Sequence, residues 1–324
     1  MAKIISYGQN DSTHQKLEGD LRIEAMISQE INLLLRDVQN LRNSQYISYA
    51  GSINGLGSDT IRVRKAGLDG YDLFETPTNE GDAATIQDFT DGHVDIAVAR
   101  LALMYKMTDL ASMTGFGGSD IDPFRIAQSI AGSYETRFAA LTGAAAASFT
   151  ATAGANTTTL SVDDFFDAIF KLEQAGFGTG SAGGAPGPYA CVLAPKALTE
   201  LQDSLRNETG NAISRMQSSM DMLQAKGENF KGNLFGVDVY SSALGVNQNA
   251  SSGYDNYMIS PMALGYVDGI PAGVQGSADL MSMGKVVVEF DRRPMSASTF
   301  IVGHAYLGLG IIEDDRGVKL LSKR

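Results

Sequence analysis

Three histidines, one cysteine and two clusters of carboxylates are the groups with which this sequence could do chemistry, and none stands in a catalytic or metal-ligating pattern. His14, His93 and His304 are isolated from one another, so no HExxH pair and no Cys/His spacing offers ligands to zinc. Cys191 lies in the apolar run PYACVLAP with no basic neighbour to hold a thiolate; this marks an inert core residue and leaves no internal disulfide. Neither a GxxxxGK[ST] phosphate loop nor a GxSxG elbow occurs. Gly178, Gly180 and Gly183 match GxGxxG, but that turn follows a strand and opens a helix, whereas here a helix precedes and a strand follows. Only a convergence in space of acids with a histidine such as His304 would make an enzyme, a cytosolic hydrolase, of this chain.

The carboxylate clusters have structural readings. Asp120 and Asp122 bracket a helix start, where acids complement the positive end of the dipole. Glu313, Asp314 and Asp315, in IIEDDRGVKL, read as the turn of a hairpin between two short strands, with Gly317 supplying backbone freedom.

The elements around these residues are legible from periodicity. Ile27, Ile31, Leu34, Val38 and Leu41 recur at four- and three-residue steps, giving an amphipathic helix from Asp20 to about Leu41. TIRVRKA and HVDIAVARLALMYKM alternate as strands and make the two sides of a long hairpin from about Asp59 to Met107. Asp122 and Pro123 open a long helix whose face carries Ile130, Tyr134, Phe138 and Leu141. Ser161 caps a further helix with Asp164 three residues on, and its buried face is Phe165, Ile169 and Leu172. After the buried strand PYACVLAP, Pro195 opens a helix with Leu198, Leu201 and Leu205, and a methionine-bearing helix follows. The remainder reads as strands separated by long polar loops.

Composition narrows the class. With 44% apolar and 19% charged residues the chain buries a core, and 36 glycines with 8 prolines speak for many loops rather than a helical bundle. A net charge of -12 excludes a protein whose main work is to grip nucleic acid, since that needs phosphate neutralisation by Lys and Arg. The N-terminus MAKIISYGQNDST has no basic region followed by an apolar core, and no run reaches about 18 apolar residues, so no membrane span is expected.

The excursion inside the hairpin, KAGLDGYDLFETPTNEGD, is too long to serve as a turn within one compact domain. Arg62, Arg64 and Lys65 precede it, then Asp69, Asp72, Glu75, Glu80, Asp82, Asp88 and Asp91 follow with no Lys or Arg until Arg100.

This order of elements resembles the major capsid proteins of tailed bacteriophages, the HK97-like capsid fold. The resemblance implies an α+β chain with an N-terminal arm (1–45), an extended E-loop hairpin with its base strands (46–110), and a peripheral domain with the spine helix (111–233). An axial domain (234–297) and closing strands that return to the body (298–324) complete it. FKGNLFGVDVYSSALGV looks like the entry to the axial domain, and FIVGHAYLGLGIIEDDRGVKLL like the closing strands.

The function implied is self-assembly into pentamers and hexamers of an icosahedral shell around phage double-stranded DNA, held without sequence-specific binding. No enzyme activity and no cofactor are implied. The expected location is the virion capsid, assembled in the cytoplasm of the bacterial host. A separate scaffolding protein, a portal and a decoration protein are further expected partners, and a bacterial encapsulin-like compartment shell is the nearest alternative. Contacts between copies would come from Leu68, Asp69, Asp72, Leu73, Phe74, Glu75, Glu80 and Asp82 of the hairpin and from Ile27, Ile31, Leu34 and Val38 of the arm, with Arg125 and Arg137 as basic partners. Some family members weld subunits through an E-loop lysine; here no lysine lies between Ala66 and Gly92, so the contact is expected to be non-covalent.

Overall fold

The structure, a computed structural model, describes residues 46–65, 92–110, 129, 130, 132, 133, 136, 137, 140, 149–175, 184–207, 229–243, 246–249, 253–269 and 286–324. In chain order the elements are β1 (Ile47–Ser52), β2 (Thr60–Arg64), β3 (His93–Ala97), β4 (Ala99–Thr108), β5 (Ala151–Gly154), α1 (Val162–Glu173), β6 (Tyr189–Leu193), α2 (Pro195–Asn207), β7 (Phe230–Leu234) and β8 (Val237–Ser241). There follow β9 (Asn247–Asn249), β10 (Gly253–Ile259), β11 (Leu264–Asp268), β12 (Val286–Arg293), β13 (Ser298–Ile311) and β14 (Gly317–Lys323). The chain is thus a mixture of helix and sheet.

A seven-stranded sheet runs β5-β14-β10-β6-β8-β7, with β9 paired to β10. Helices α1 and α2 pack on it. α1 begins where expected: the Ser161 side chain accepts from the Asp164 N–H while the Asp164 carboxylate accepts from the Ser161 N–H, a reciprocal capping box. The residues α1 buries are Val162, Phe165, Ala168 and Leu172, with Ile169 partly buried at the margin. α2 buries Leu198, Leu201 and Leu205, and its Glu200 and Ser204 accept from the backbone N–H groups of Leu160 and Val162, tying the start of α1 to the side of α2. Asn256, fully buried, stitches the sheet: its Oδ1 accepts from Ala194 N (2.7 Å) and its Nδ2 donates to Leu320 O (3.1 Å) and Ser322 Oγ (2.9 Å). Cys191 is buried in β6 and burial pushes its thiol pKa up, so it is chemically quiet.

The second sheet is organised by β13. Its residues Ser298–Ala305 pair with both β12 and β4, and Leu307–Ile311 pair with β11, which in turn pairs in parallel with β1. Described residues between 129 and 140 are helical, and Ile130 among them is buried, as its place on the expected face requires. β2 and β3 form a separate antiparallel ribbon.

Three readings of the sequence are corrected. HVDIAVARLALMYKM is not one strand: β3 ends at Ala97, Val98 N donates the last ribbon bond to Asp59 O, and from Ala99 onward β4 pairs with β13 instead. IIEDDRGVKL is no hairpin: β13 and β14 lie in different sheets, because each finds its partners among strands far away in sequence. Gly317 is there for space and not for backbone freedom, since its φ is extended (-134°) and a Cβ would stand 2.3 Å from the Phe149 ring. β7 and β8 form one paired hairpin in the sheet that holds α1 and α2.

The two sheets are joined by two short connections, β10 to β11 and β13 to β14, which hydrogen-bond to each other: Ser260 N to Arg316 O (2.9 Å) and Ile312 N to Ala263 O (2.9 Å). At this joint Arg316 and Glu313 are buried and paired, and Arg316 also donates to Pro261 O (3.2 Å).

Candidate functional site

Three surface features are built from these elements. The first is the base of the β2–β3 ribbon. Val63 and Ile61 face inward while Thr60, Arg62 and Arg64 are exposed, and across the ribbon Arg62 clasps Asp95 with two hydrogen bonds, Nε to Oδ1 at 2.8 Å and Nη2 to Oδ2 at 3.1 Å. The guanidinium beside it holds the Asp95 carboxyl below the usual range. The ribbon is still paired where segment 66–91 departs, with Lys65 N donating to Gly92 O (2.9 Å).

What seats the ribbon is the absence of side chains on β13. A Cβ on Gly308 would stand 2.4 Å from Ala97 O, and one on Gly310 would stand 2.9 Å from Ile96 Cγ1. Ile96 is buried as a result. Backbone contact this close holds the β2–β3 ribbon against β13.

The second feature is a cleft of 330 Å³ between β4, β13 and the helical residues, lined by Arg100, Ile130, Ser133, Arg137 and His304 among others. In the ladder His304 stands opposite Ala102 and Tyr306 opposite Arg100, so Arg100 is the diagonal neighbour of His304 on one face. An Arg100 Nη2 donates to His304 Nδ1 (3.2 Å), since a guanidinium can only donate. Among the described residues the lining contains no carboxylate. Two guanidiniums side by side in a cleft can take carboxylates or phosphates in bidentate fashion. The Arg100 N–H occupies the Nδ1 lone pair of His304, and among the described residues of the lining no carboxylate stands beside it.

The third feature is aromatic. Phe166 and Phe170 project from the side of α1 opposite its core face, 45% and 53% exposed, and Phe166 meets Phe235, 41% exposed, with ring centroids 4.5 Å apart. Phe235 and Gly236 form the two-residue turn of β7–β8 with φ of 53° and 83°. Such turns favour Asn-Gly; a phenylalanine held in the left-handed region costs about 1–2 kcal/mol. Beside this turn the chain enters the body. Tyr46 is buried and donates to the Asp238 carboxylate, which also accepts from Asn233 Nδ2 (3.0 Å), and Asn233 Oδ1 accepts from Gly236 N (3.0 Å).

Of the residues expected to make contacts between copies, only Arg137 is described, and it lies in the cationic cleft. Leu68, Asp69, Asp72, Leu73, Phe74, Glu75, Glu80, Asp82, Ile27, Ile31, Leu34, Val38 and Arg125 lie outside the described residues. Sequence reasoning missed Arg100 and His304 as companions of Arg137, because only the β4–β13 register brings them together. It missed the aromatic patch although a signal was present: Phe166 and Phe170 sit one turn apart, off the face that carries Phe165 and Leu172. Among the described residues no group of three or more His, Cys, Asp or Glu side chains is placed to hold a metal ion, and no helix is long and apolar enough to cross a membrane.

No protein-family profile matches the chain, and no curated protein matches it. Solved structures do. The capsid of Ralstonia phage GP4 is 10% identical, with 87% of this chain and 90% of that one covered at a TM-score of 0.58. The capsid structure of the cyanophage P-SCSP1u is 16% identical, with 86% of each chain covered at a TM-score of 0.55. The SrpI encapsulin of Synechococcus elongatus PCC 7942 is 12% identical, with 73% of this chain and 78% of that one covered at a TM-score of 0.53. At these identities the likeness establishes the fold, which is that of phage capsid proteins and is present in an encapsulin as well.

Proposed function

We propose that this chain is the major capsid protein of a tailed bacteriophage, which assembles through pentamers and hexamers into an icosahedral shell around double-stranded DNA. The observation that carries the proposal is the likeness to phage capsids over most of the length of both chains. The excess of acid, the quiet cysteine and the two arginines of the cleft agree with a subunit that works by contacts between copies. An acidic inner wall would hold packed DNA without trapping it.

Segment 66–91, leaving the body from the seated β2–β3 ribbon, is the clasp in this reading. Its seven acids and its apolar residues Leu68, Leu73 and Phe74 would lie on a neighbouring copy, with Arg100 and Arg137 of the cleft as basic partners and Arg125 as a third. The arm residues Ile27, Ile31, Leu34 and Val38 supply a second contact in the closed shell. With no lysine in segment 66–91 the clasp is non-covalent, so mature particles run as single subunits on a denaturing gel.

The encapsulin likeness supports one rival, a compartment shell that encloses enzyme instead of genome. Electron microscopy of the purified protein and chemical identification of the contents decide: closed shells holding DNA support the capsid, closed shells holding host enzyme support the compartment, and small oligomers that never close refute both.

A further inference from the structure

We infer that in the free subunit the aromatic patch of Phe166, Phe170 and Phe235 is covered by the apolar stripe of its own chain, Ile27, Ile31, Leu34 and Val38. This concerns the unassembled chain and holds whether or not copies go on to close a shell.

Three observations converge on that occupant. The patch is built rather than incidental: Phe166 and Phe170 stand one helical turn apart on the solvent side of α1, and Phe235 is held against Phe166 at a backbone conformation that aromatic residues rarely adopt. Strain of this kind persists where the surrounding structure uses the side chain it presents, and adjoining exposed aromatics mark a contact surface.

The chain before Tyr46 also starts beside the patch. Tyr46 is pinned on Asp238, Asp238 on Asn233, and Asn233 on the N–H of Gly236, next in sequence to Phe235. The helix expected to end at about Leu41 leaves residues 42–45 before this anchor, which can span about 14 Å when extended, so the end of the stripe starts within reach of the patch. A tether this short gives the chain's own stripe a high effective concentration over any second copy at ordinary dilution.

The chemistry matches as well. The stripe is purely aliphatic over the positions that would face one side of a helix, while Arg22, Glu24, Glu30, Arg36 and Asp37 carry both signs elsewhere on it. Around the patch α1 likewise shows both signs, with Asp163 near its start and Lys171 paired to Asp167. An aliphatic ridge laid against flat aromatic rings buries apolar surface on both partners without stranding a charge. Assembly would then proceed by exchange: the stripe that a free subunit keeps at home is released to a neighbour in the shell.

The test uses the full chain with Cys191→Ala, which removes its only thiol, and the pair Leu34→Cys with Phe170→Cys, treated at high dilution with a short thiol–thiol cross-linker. The expected product is a link within one chain, found by peptide mass spectrometry in material that runs as a monomer on a denaturing gel. The control pair Leu34→Cys with Met295→Cys, whose second position is fully exposed on the turn between β12 and β13, should remain unlinked. Links that appear only as dimers would hand the patch to a second copy and overturn the inference, as would equal linking in the control pair or none in either. Independently of cysteines, Ile31→Asp with Leu34→Asp should raise binding of a hydrophobic dye several-fold, and adding Phe166→Ser and Phe170→Ser should remove the gain. Dye binding unchanged by the first pair would overturn it too.

Discussion

Glu313 and Arg316 are paired and buried at the joint where the chain crosses between its two sheets. Removing one member strands the other charge out of reach of water, so Arg316→Leu is expected to cost about 3–5 kcal/mol in chemical denaturation. Replacing both with apolar residues of similar volume should recover most of that loss, because the desolvation of two charges is then no longer required. A single variant as stable as the parent would show that the pair is not insulated from solvent.

Gly308 gives a second prediction. Since a Cβ there would press on Ala97 O, Gly308→Val must push the β2–β3 ribbon off the sheet, at about 1–3 kcal/mol. The sharper readout is hydrogen exchange, with amides of β2 and β3 losing protection while those of β6 and β8 keep theirs.

The cationic cleft can be tested by charge reversal. Arg100→Glu with Arg137→Glu is expected to leave the melting temperature of the free subunit within a few degrees of the parent, because both side chains are exposed, yet to lower the yield of closed shells at least about tenfold. Introducing Asp72→Arg and Glu75→Arg in the same chain should restore assembly. Rescue by the reversed acids separates a contact between copies from damage to the fold.

Alkaline titration probes Tyr49. Its hydroxyl donates to Asp268 Oδ1 (3.0 Å), and burial, followed by the nearby Asp268 charge, pushes its pKa up to about 12 from an ordinary value near 10. Between these values the unfolded chain gives up the proton and the folded chain keeps it, so this contribution to stability is full below about pH 10 and falls as pH rises towards 12. The ring is half exposed, which keeps the slope small; Tyr49→Phe should flatten it.

The capping box of α1 is worth a measurement of its own. Ser161→Ala removes the acceptor for the Asp164 N–H and should destabilise by about 1 kcal/mol, with the thermal midpoint as the readout.

Much of the architecture was legible before any coordinate. Ser161 and Pro195 announce helices by local chemistry, and Phe165, Leu172, Leu198, Leu201 and Leu205 fall on the buried faces because a helix reports its own periodicity. Strand partnership carries no such local mark. Nothing in HVDIAVARLALMYKM says that the strand breaks at Val98, and nothing in IIEDDRGVKL says that its halves join different sheets. The cleft shares this limit, for Arg100 and His304 meet through a register set by the whole of β13. Phe166 and Phe170 were readable as a second helical face, but the turn that adds Phe235 belongs to a distant hairpin.

The place of β13 and β14 has a consequence in time. β14 lies between β5 and β10, and β13 is flanked by both β4 and β12, so each sheet is missing an inner member until residues 298–323 have been made. No early portion of the chain can settle into a finished body and seek out copies of itself. Contacts this distant in sequence also make for slow folding. In the proposed role, a subunit thereby cannot begin to join copies before residues 298–323 have been made, and the order of its strands acts as a clock.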